Sequence, residues 1–331
     1  MMRSLYSGIS GLRNHQTRMD VIGNNIANVN TVGYKTSRVV FQDIFSQTVS
    51  GGMGNTGAIG GTNPTQIGLG IRLSTIDVMH TRAAFQRTDN ATDMMINGDG
   101  FFVLEGPEGN LYTRAGNFYI DDEGYLVSSH GFFVLGDVYS IVWGEISPAV
   151  PAVPPDPGSA GDTPPITNPN DPNFRPPTPG SPAMDAVFGF VVDDNTPPEF
   201  GRIRVRAVDG NGQLVNLPGF AVADNGTVSV IANNRKLDIA QIMVSLFSNP
   251  GGLEKAGNSL YMQTASSGEP IITAPMEPGA GRIDSGGLEM SNVDLATEFT
   301  DMIVTQRGFQ ANSRIITVSD TMLEELVNLK R

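Results

Sequence analysis

Few side chains in the 331-residue chain are of the types that do covalent or metal chemistry. There is no cysteine, which excludes a thiol nucleophile, a thiolate metal centre and a disulfide framework. The three histidines, His15, His80 and His130, are too widely spaced for a histidine zinc motif. Asp121-Asp122 and Asp193-Asp194 have the residue types for general acid–base work. Successive residues of a strand point to opposite faces, so neither pair converges on one substrate, and both lie beside turn residues. Gly98-Asp99-Gly100 has the glycines of a phosphate loop but no Gly-Lys-Ser/Thr after it. Asp209-Gly210-Asn211-Gly212 begins like a calcium loop, yet its twelfth position is Phe220 rather than an acid. No Gly-x-Ser-x-Gly elbow occurs, and the single tryptophan, Trp143, gives little support to a sugar platform. The expectation is a chain with no enzyme activity, no cofactor and no metal.

Composition points the same way. Charged residues make up 17% and apolar residues 39%, with 39 Gly and 22 Pro. Charge is well under the usual quarter, and the glycine and proline favour β-structure and turns. A net charge of −13 argues against a nucleic-acid partner, which needs a basic footprint. No apolar run reaches the roughly 18 residues of a membrane span, so no membrane insertion is expected. The first residues lack the apolar stretch of a Sec signal. That leaves the cytoplasm, or export without a cleaved signal peptide.

The elements that position these residues begin with two helices. Residues 4–29 carry Leu5, Leu12, Met19 and Ile26 at seven-residue spacing, with Ile9 and Ile22 widening the stripe and no proline. The helix is expected to end in the Asn/Gly-rich run that includes Asn24, Asn25 and Asn28. At the other end Leu288, Leu295, Met302, Phe309, Ile316 and Leu323 repeat every seven residues, with Phe299 beside them. A helix of about 36 residues is expected there, capped by Ser291 or Asn292 and roughly 54 Å long. Sustained apolar heptads predict coiled-coil pairing. The remaining faces carry neutral Ser, Gly, Asn, Gln and Thr rather than Glu and Lys. Such faces suit burial against further copies, because buried charges cost several kcal/mol to desolvate.

Between the helices the period becomes two. Short strands such as Phe101–Leu104, Leu111–Thr113 and Phe118–Ile120 alternate with Gly/Asp/Asn turns, which predicts an antiparallel β-barrel or sandwich. The fold class is therefore α+β, mainly β. The expected organisation is an axial helix at 1–34, a Gly-rich connecting segment at 35–70, and a discontinuous β-domain at 71–144 plus 213–285. Thirteen prolines in 146–182 mark 145–212 as a stiff outer insertion. A C-terminal axial helix takes 286–331.

Several stretches carry a family resemblance. Ser4-Leu5-Tyr6-Ser7-Gly8-Ile9-Ser10-Gly11-Leu12, then Asp20–Lys35 with Gly23-Asn24-Asn25-Ile26-Ala27-Asn28 at its centre, resembles the N-terminal signature of bacterial flagellar rod and hook proteins. Asn97-Gly98-Asp99-Gly100-Phe101-Phe102 and Tyr112-Thr113-Arg114-Ala115-Gly116-Asn117-Phe118 resemble their first β-domain. Glu289-Met290-Ser291-Asn292-Val293-Asp294 and Gln306–Arg314 resemble their C-terminal helix. Met19–Asn25, Asn63–Gly70, Asn249–Lys255 and Ser267–Pro270 are more similar to the hook branch than to the rod branch.

The resemblance implies a self-assembling subunit of the extracellular hook, a curved flexible tube that carries torque from rod to filament. It implies paired terminal helices lining a channel. Its partners would be further copies of the chain, the rod, hook-cap and hook–filament junction proteins, and the flagellar export apparatus. The assembly interface is expected at Leu5, Ile9, Leu12, Met19, Ile22, Asn24, Asn25, Ile26 and Asn28 of the first helix. Leu295, Phe299, Met302, Phe309, Ile316 and Leu323 are its expected counterparts on the second. A distal rod subunit is the alternative, and a β-rich extracellular enzyme or adhesin is the reading from another class.

Overall fold

The structure is a computed structural model that describes residues 2–54, 60–107, 109–139, 141–146, 187–192, 199–205, 207–208, 214–215, 219–232 and 235–329. The Pro-rich run beyond Ile146, Asp193-Asp194 and Asp209–Gly212 lie outside the described residues. The fold is mainly antiparallel β, with a helix at each end.

Helix α1, Met2–Ala27, stops two residues earlier than its apolar pattern predicts. The Asn28 side chain donates back to the Asn24 carbonyl at 2.9 Å, and Gly33 then turns the chain at φ +67. Helix α2 runs Leu295–Asn328 over 34 residues, or about 51 Å. Asp294 is its cap: one carboxylate oxygen accepts from the Ala296 N–H at 3.0 Å and the other from the Thr297 hydroxyl at 2.8 Å. The expected caps and first heptad member serve elsewhere. Asn292 is taken up by the β-domain, and Leu288 lies in strand Gly287–Glu289, paired with Phe85–Arg87.

The β-domain is organised around strand Phe101–Gly106, which pairs with Gly109–Thr113 and Phe133–Val138. Its residues Phe101, Phe102, Val103 and Leu104 are all buried, because both faces are covered. Phe102 and Leu104 face the main core with Phe118, Val134, Ile239 and Ile242. Phe101 and Val103 face a smaller cluster with Tyr112, Leu253 and Tyr261. Asp121-Asp122 sits in a turn: Asp121 Oδ1 accepts from the Glu123 N–H at 2.8 Å, and no substrate cleft is formed between the two.

Two expected segment boundaries shift. Residues 35–70 are not merely a connection. Strand Ser37–Asp43 pairs with Ile71–Val78, and Ser46–Ser50 pairs with Thr65–Gly68 as a projecting hairpin. The glycines of 51–70 fall largely in that hairpin's loop. Part of 145–212 belongs to the β-core: strand Glu199–Arg202 pairs with Phe133–Val138, and Ile203 and Val205 are buried in the main cluster. Strands Ile141–Ile146 and Val187–Val192 form an antiparallel pair that brackets the Pro-rich run.

Gly116 shows how tightly this domain closes. A Cβ there would lie 1.6 Å from the Met94 carbonyl oxygen, while the Met94 N–H donates to the Gly116 carbonyl at 3.0 Å. Gly116→Ala must push two backbones apart, so we expect a loss of about 3 kcal/mol, the upper end for overpacking. Denaturant melts of the two proteins would measure it.

Candidate assembly site at the helix pair and its joint

The helices pack antiparallel. Gly8 and Gly11 lie against Asn312, His15 against Gly308, Arg18 against Asp301 and Asn25 against Glu298. The facing positions are 8, 11, 15, 18, 22 and 25 on α1. On α2 they are 298, 301, 305, 308, 312 and 319, with Thr305 and Ser319 buried there. The spacing is heptad-like, but its occupants are mostly small or polar, with Ile22 buried among them and Ile316 and Ile315 closing on Gly8. A Cβ on Gly308 would sit 2.8 Å from the His15 ring, and one on Gly11 2.5 Å from the Asn312 amide. Glycine is what allows the backbones this close. The Arg18–Asp301 ion pair closes at 3.0 Å. Burial, then the Arg18 charge, pushes His15 below the usual imidazole range.

The structure therefore reverses the expected roles of the helix faces. A polar stripe of glycine, amide and a few charged side chains forms the seam within the chain, and most of the apolar heptads flank it. Leu5, Leu12, Met19 and Ile26 are half-buried, as are Met302, Phe309 and Ile316. Ile9, Leu295, Phe299 and Leu323 are exposed, Phe299 by 50%. Ile22 and Asn25 are buried in the seam, so they are not free to meet another copy. Asn24 stays exposed and accepts from the Tyr34 hydroxyl at 2.8 Å, while Asn28 is half-buried and accepts from Thr31 at 3.1 Å.

Below the seam the helices are fixed to the β-domain by a joint. Asn25 mimics a strand: its Oδ1 accepts from the Ser37 N–H at 3.0 Å, and its Nδ2 donates to the Ser37 carbonyl at 2.9 Å and to Glu298 at 3.0 Å. Asn292 does the same from the other end. It accepts from the Thr36 N–H at 2.8 Å and donates to the Met79 carbonyl at 2.8 Å. Between them, the Lys35 Nζ lies 2.6 Å from Glu289 Oε1 with both side chains fully buried. Lys35 also donates to the Thr81 carbonyl at 2.7 Å, and Glu289 Oε1 accepts from the Ala83 N–H at 3.1 Å. Arg114 approaches the second oxygen at 3.7 Å. Desolvation pushes both cations downward, against the pull of the Glu289 carboxylate.

Lys35, Glu289, Arg114 and Asn292 are not among the residues expected to form the site. All four lie inside the stretches that carry the family resemblance. A charged residue in an otherwise neutral motif was the available signal.

The comparisons agree with this layout. Residues 5–35 match the family described as Flagella basal body rod protein. Residues 95–159 match the Flagellar hook protein FlgE/F/G D1 domain, and 284–329 the Flagellar basal body rod FlgEFG protein C-terminal family. The basal-body rod protein FlgG of Bacillus subtilis is 41% identical, with all of both chains covered. The hook proteins FlgE of Borreliella burgdorferi and Treponema pallidum are 35% and 32% identical, again over all of both chains. The chain belongs to the flagellar hook and rod protein family. The crystal structure of Helicobacter pylori hook protein FlgE2 matches 62% of this chain and all of its own at 13% identity, with a TM-score of 0.34. The family is a structural component of the flagellum, and the matched regions comprise the helix pair, the joint and part of the β-domain.

Two outcomes follow for a joint of this kind. Lys35→Met leaves the buried Glu289 carboxylate with the Ala83 N–H and the long Arg114 contact, and we expect a loss of about 3 kcal/mol, the lower end for breaking a buried pair. Glu289→Met strands the buried Lys35 and Arg114 together and should cost more; urea melts of the two variants test this. His80, edge-on to Phe101 and Tyr261, is held down to about 4 by burial and then by Arg114, Lys35 and Lys255. The unfolded chain takes up that proton at its ordinary 6.5. Stability is therefore lost as pH falls from 6.5 towards 4. The His80→Phe protein should show a shallower slope of stability against pH across that window.

Proposed function

We propose that the chain is a structural subunit of the flagellar hook, whose copies assemble into a curved flexible tube that transmits torque from rod to filament. The observation that carries axial assembly is the division of each helix between a polar seam and apolar flanks. The apolar positions Leu5, Ile9, Leu12, Met19 and Ile26, with Leu295, Phe299, Met302, Phe309, Ile316 and Leu323, form the surface offered to neighbouring copies. Each such side chain buried on assembly contributes about 1.5–3 kcal/mol. The projecting hairpin presents a second apolar surface, with Phe45 87% exposed and Val49, Met53 and Ile67 also exposed.

Support for the hook branch comes from the four motif stretches that resemble it. Assembly in the hook would place the working protein outside the cell. Rod, hook-cap and hook–filament junction proteins would then be its neighbours, with the export apparatus as its route. The distal rod is the second reading, and the 41% identity to a rod protein favours it. Hook relatives align over 441 and 464 positions, so they are longer than this chain.

Antibody against the β-domain, seen by electron microscopy on source cells, separates the two. Label along a curved segment outside the envelope is expected; label confined to the basal structure would establish the rod instead. Leu12→Asp and Leu295→Asp should abolish polymer while leaving the β-domain melt unchanged. Normal polymer from both would refute the proposed surface.

A further inference from the structure

The joint leaves a surplus of positive charge beside a cavity. Lys35 and Arg114 face the single carboxylate of Glu289, and all three side chains are buried. Arg114 also lines a cavity of about 320 Å³, together with His80, Phe101, Phe247 and Pro250. Among the described residues, Arg114 Nε and both ring nitrogens of His80 are buried without a hydrogen-bond partner. The Pro250 carbonyl approaches His80 without closing a hydrogen bond. Glu289 Oε2 is likewise left with only the long Arg114 contact.

The Arg114 Nε–H and the one N–H of the neutral His80 ring call for an acceptor. The charges around the cavity say which kind. Arg82 adds a positive field at Arg114, and Lys255 adds one at His80. On the negative side stand Glu289 and Asp99; Asp99 is exposed and lines the opening. This corner is net positive within a chain of net charge −13. Water would fill the hydrogen-bonding need but would leave the charge uncompensated. The planar guanidinium fork matches an oxyanion, and the volume lies at the small end of ligand pockets.

We infer that this cavity binds a small oxyanion, a carboxylate or phosphate group, with Arg114 as its ionic anchor and His80 as a second donor. The site is internal to the β-domain and its joint, so the inference holds for hook and rod alike.

The test uses the full-length monomer at constant ionic strength, with orthophosphate, acetate or chloride added. The melting temperature should rise and saturate with an oxyanion but not with chloride. The His80 ring resonances should shift with the same midpoint, and its titration should move up from about 4. Stronger action by phosphate marks a free ion as the occupant. Stronger action by acetate marks a carboxylate side chain, such as a neighbouring copy would supply. Arg114→Gln should remove the response. Should that variant not fold, His80→Phe, which keeps Arg114, should weaken the affinity several-fold. An unshifted His80 spectrum and an unchanged melt in both oxyanions, or an equal effect of chloride, would overturn the proposal.

Discussion

The Lys35–Glu289 pair is the interaction on which the rest of the structure depends. It joins positions at opposite ends of the sequence at 2.6 Å with no solvent contact. A buried ion pair is weak evidence for net stability, since desolvation offsets most of its attraction. Its effect is geometric. Lys35 needs both the Glu289 oxygen and the Thr81 carbonyl, so the segment after α1 and the segment before α2 have one relative position. Asn25 and Asn292 then repeat that registration in hydrogen bonds on either side. With the two chain ends held there, the helices have no choice but to run back alongside each other.

That constraint explains the unusual seam. Two ordinary amphipathic helices would pair through their apolar stripes and hide them. Here the joint brings Gly8, Gly11 and Gly308 into the contact, and the small side chains let the backbones close up. The polar groups that enter the seam are matched locally, Arg18 with Asp301 and Asn25 with Glu298. The apolar stripes are turned to the flanks at a cost in exposed surface. In the proposed assembly, that exposed surface would supply the cohesion between copies. A single chain of this design is incomplete in the same sense as one repeat of a solenoid.

Much of the architecture was legible in the residues. The heptads located both helices, and the period of two with its Asp/Gly turns located the antiparallel β-domain. What was not legible depended on three-dimensional placement. Seven-residue spacing identifies a helix face but not its partner, and here the positions three residues after or one residue before each apolar heptad member form the seam. Leu288 kept the heptad and joined a strand, because Asp294 caps the helix six residues later. Ile203 and Val205 sat inside a stretch dominated by proline, and only the pairing of Glu199–Arg202 with Phe133–Val138 drew them into the core. The charges of the joint were hidden for another reason. A buried Lys, Arg and Glu, each far from the others in sequence, look like surface residues until the fold brings them together.

The joint and the seam also divide the mechanical work of the subunit. Helices of α-type are stiff along their length, and α2 extends about 51 Å, so force along the axis is carried by the pair. Bending of any tube built from such subunits must be taken up elsewhere. The seam is poorly suited to that, since its ion pair and glycine contacts fit one register. The joint is equally unsuited, because displacing Lys35 from Glu289 would pull two buried charges off their short contact. In the proposed assembly, bending would fall to the flanks, where apolar contacts are non-directional and exchange at little cost. A chain with rigid polar contacts inside each subunit and interchangeable apolar contacts between subunits can bend as a polymer without unfolding as a monomer.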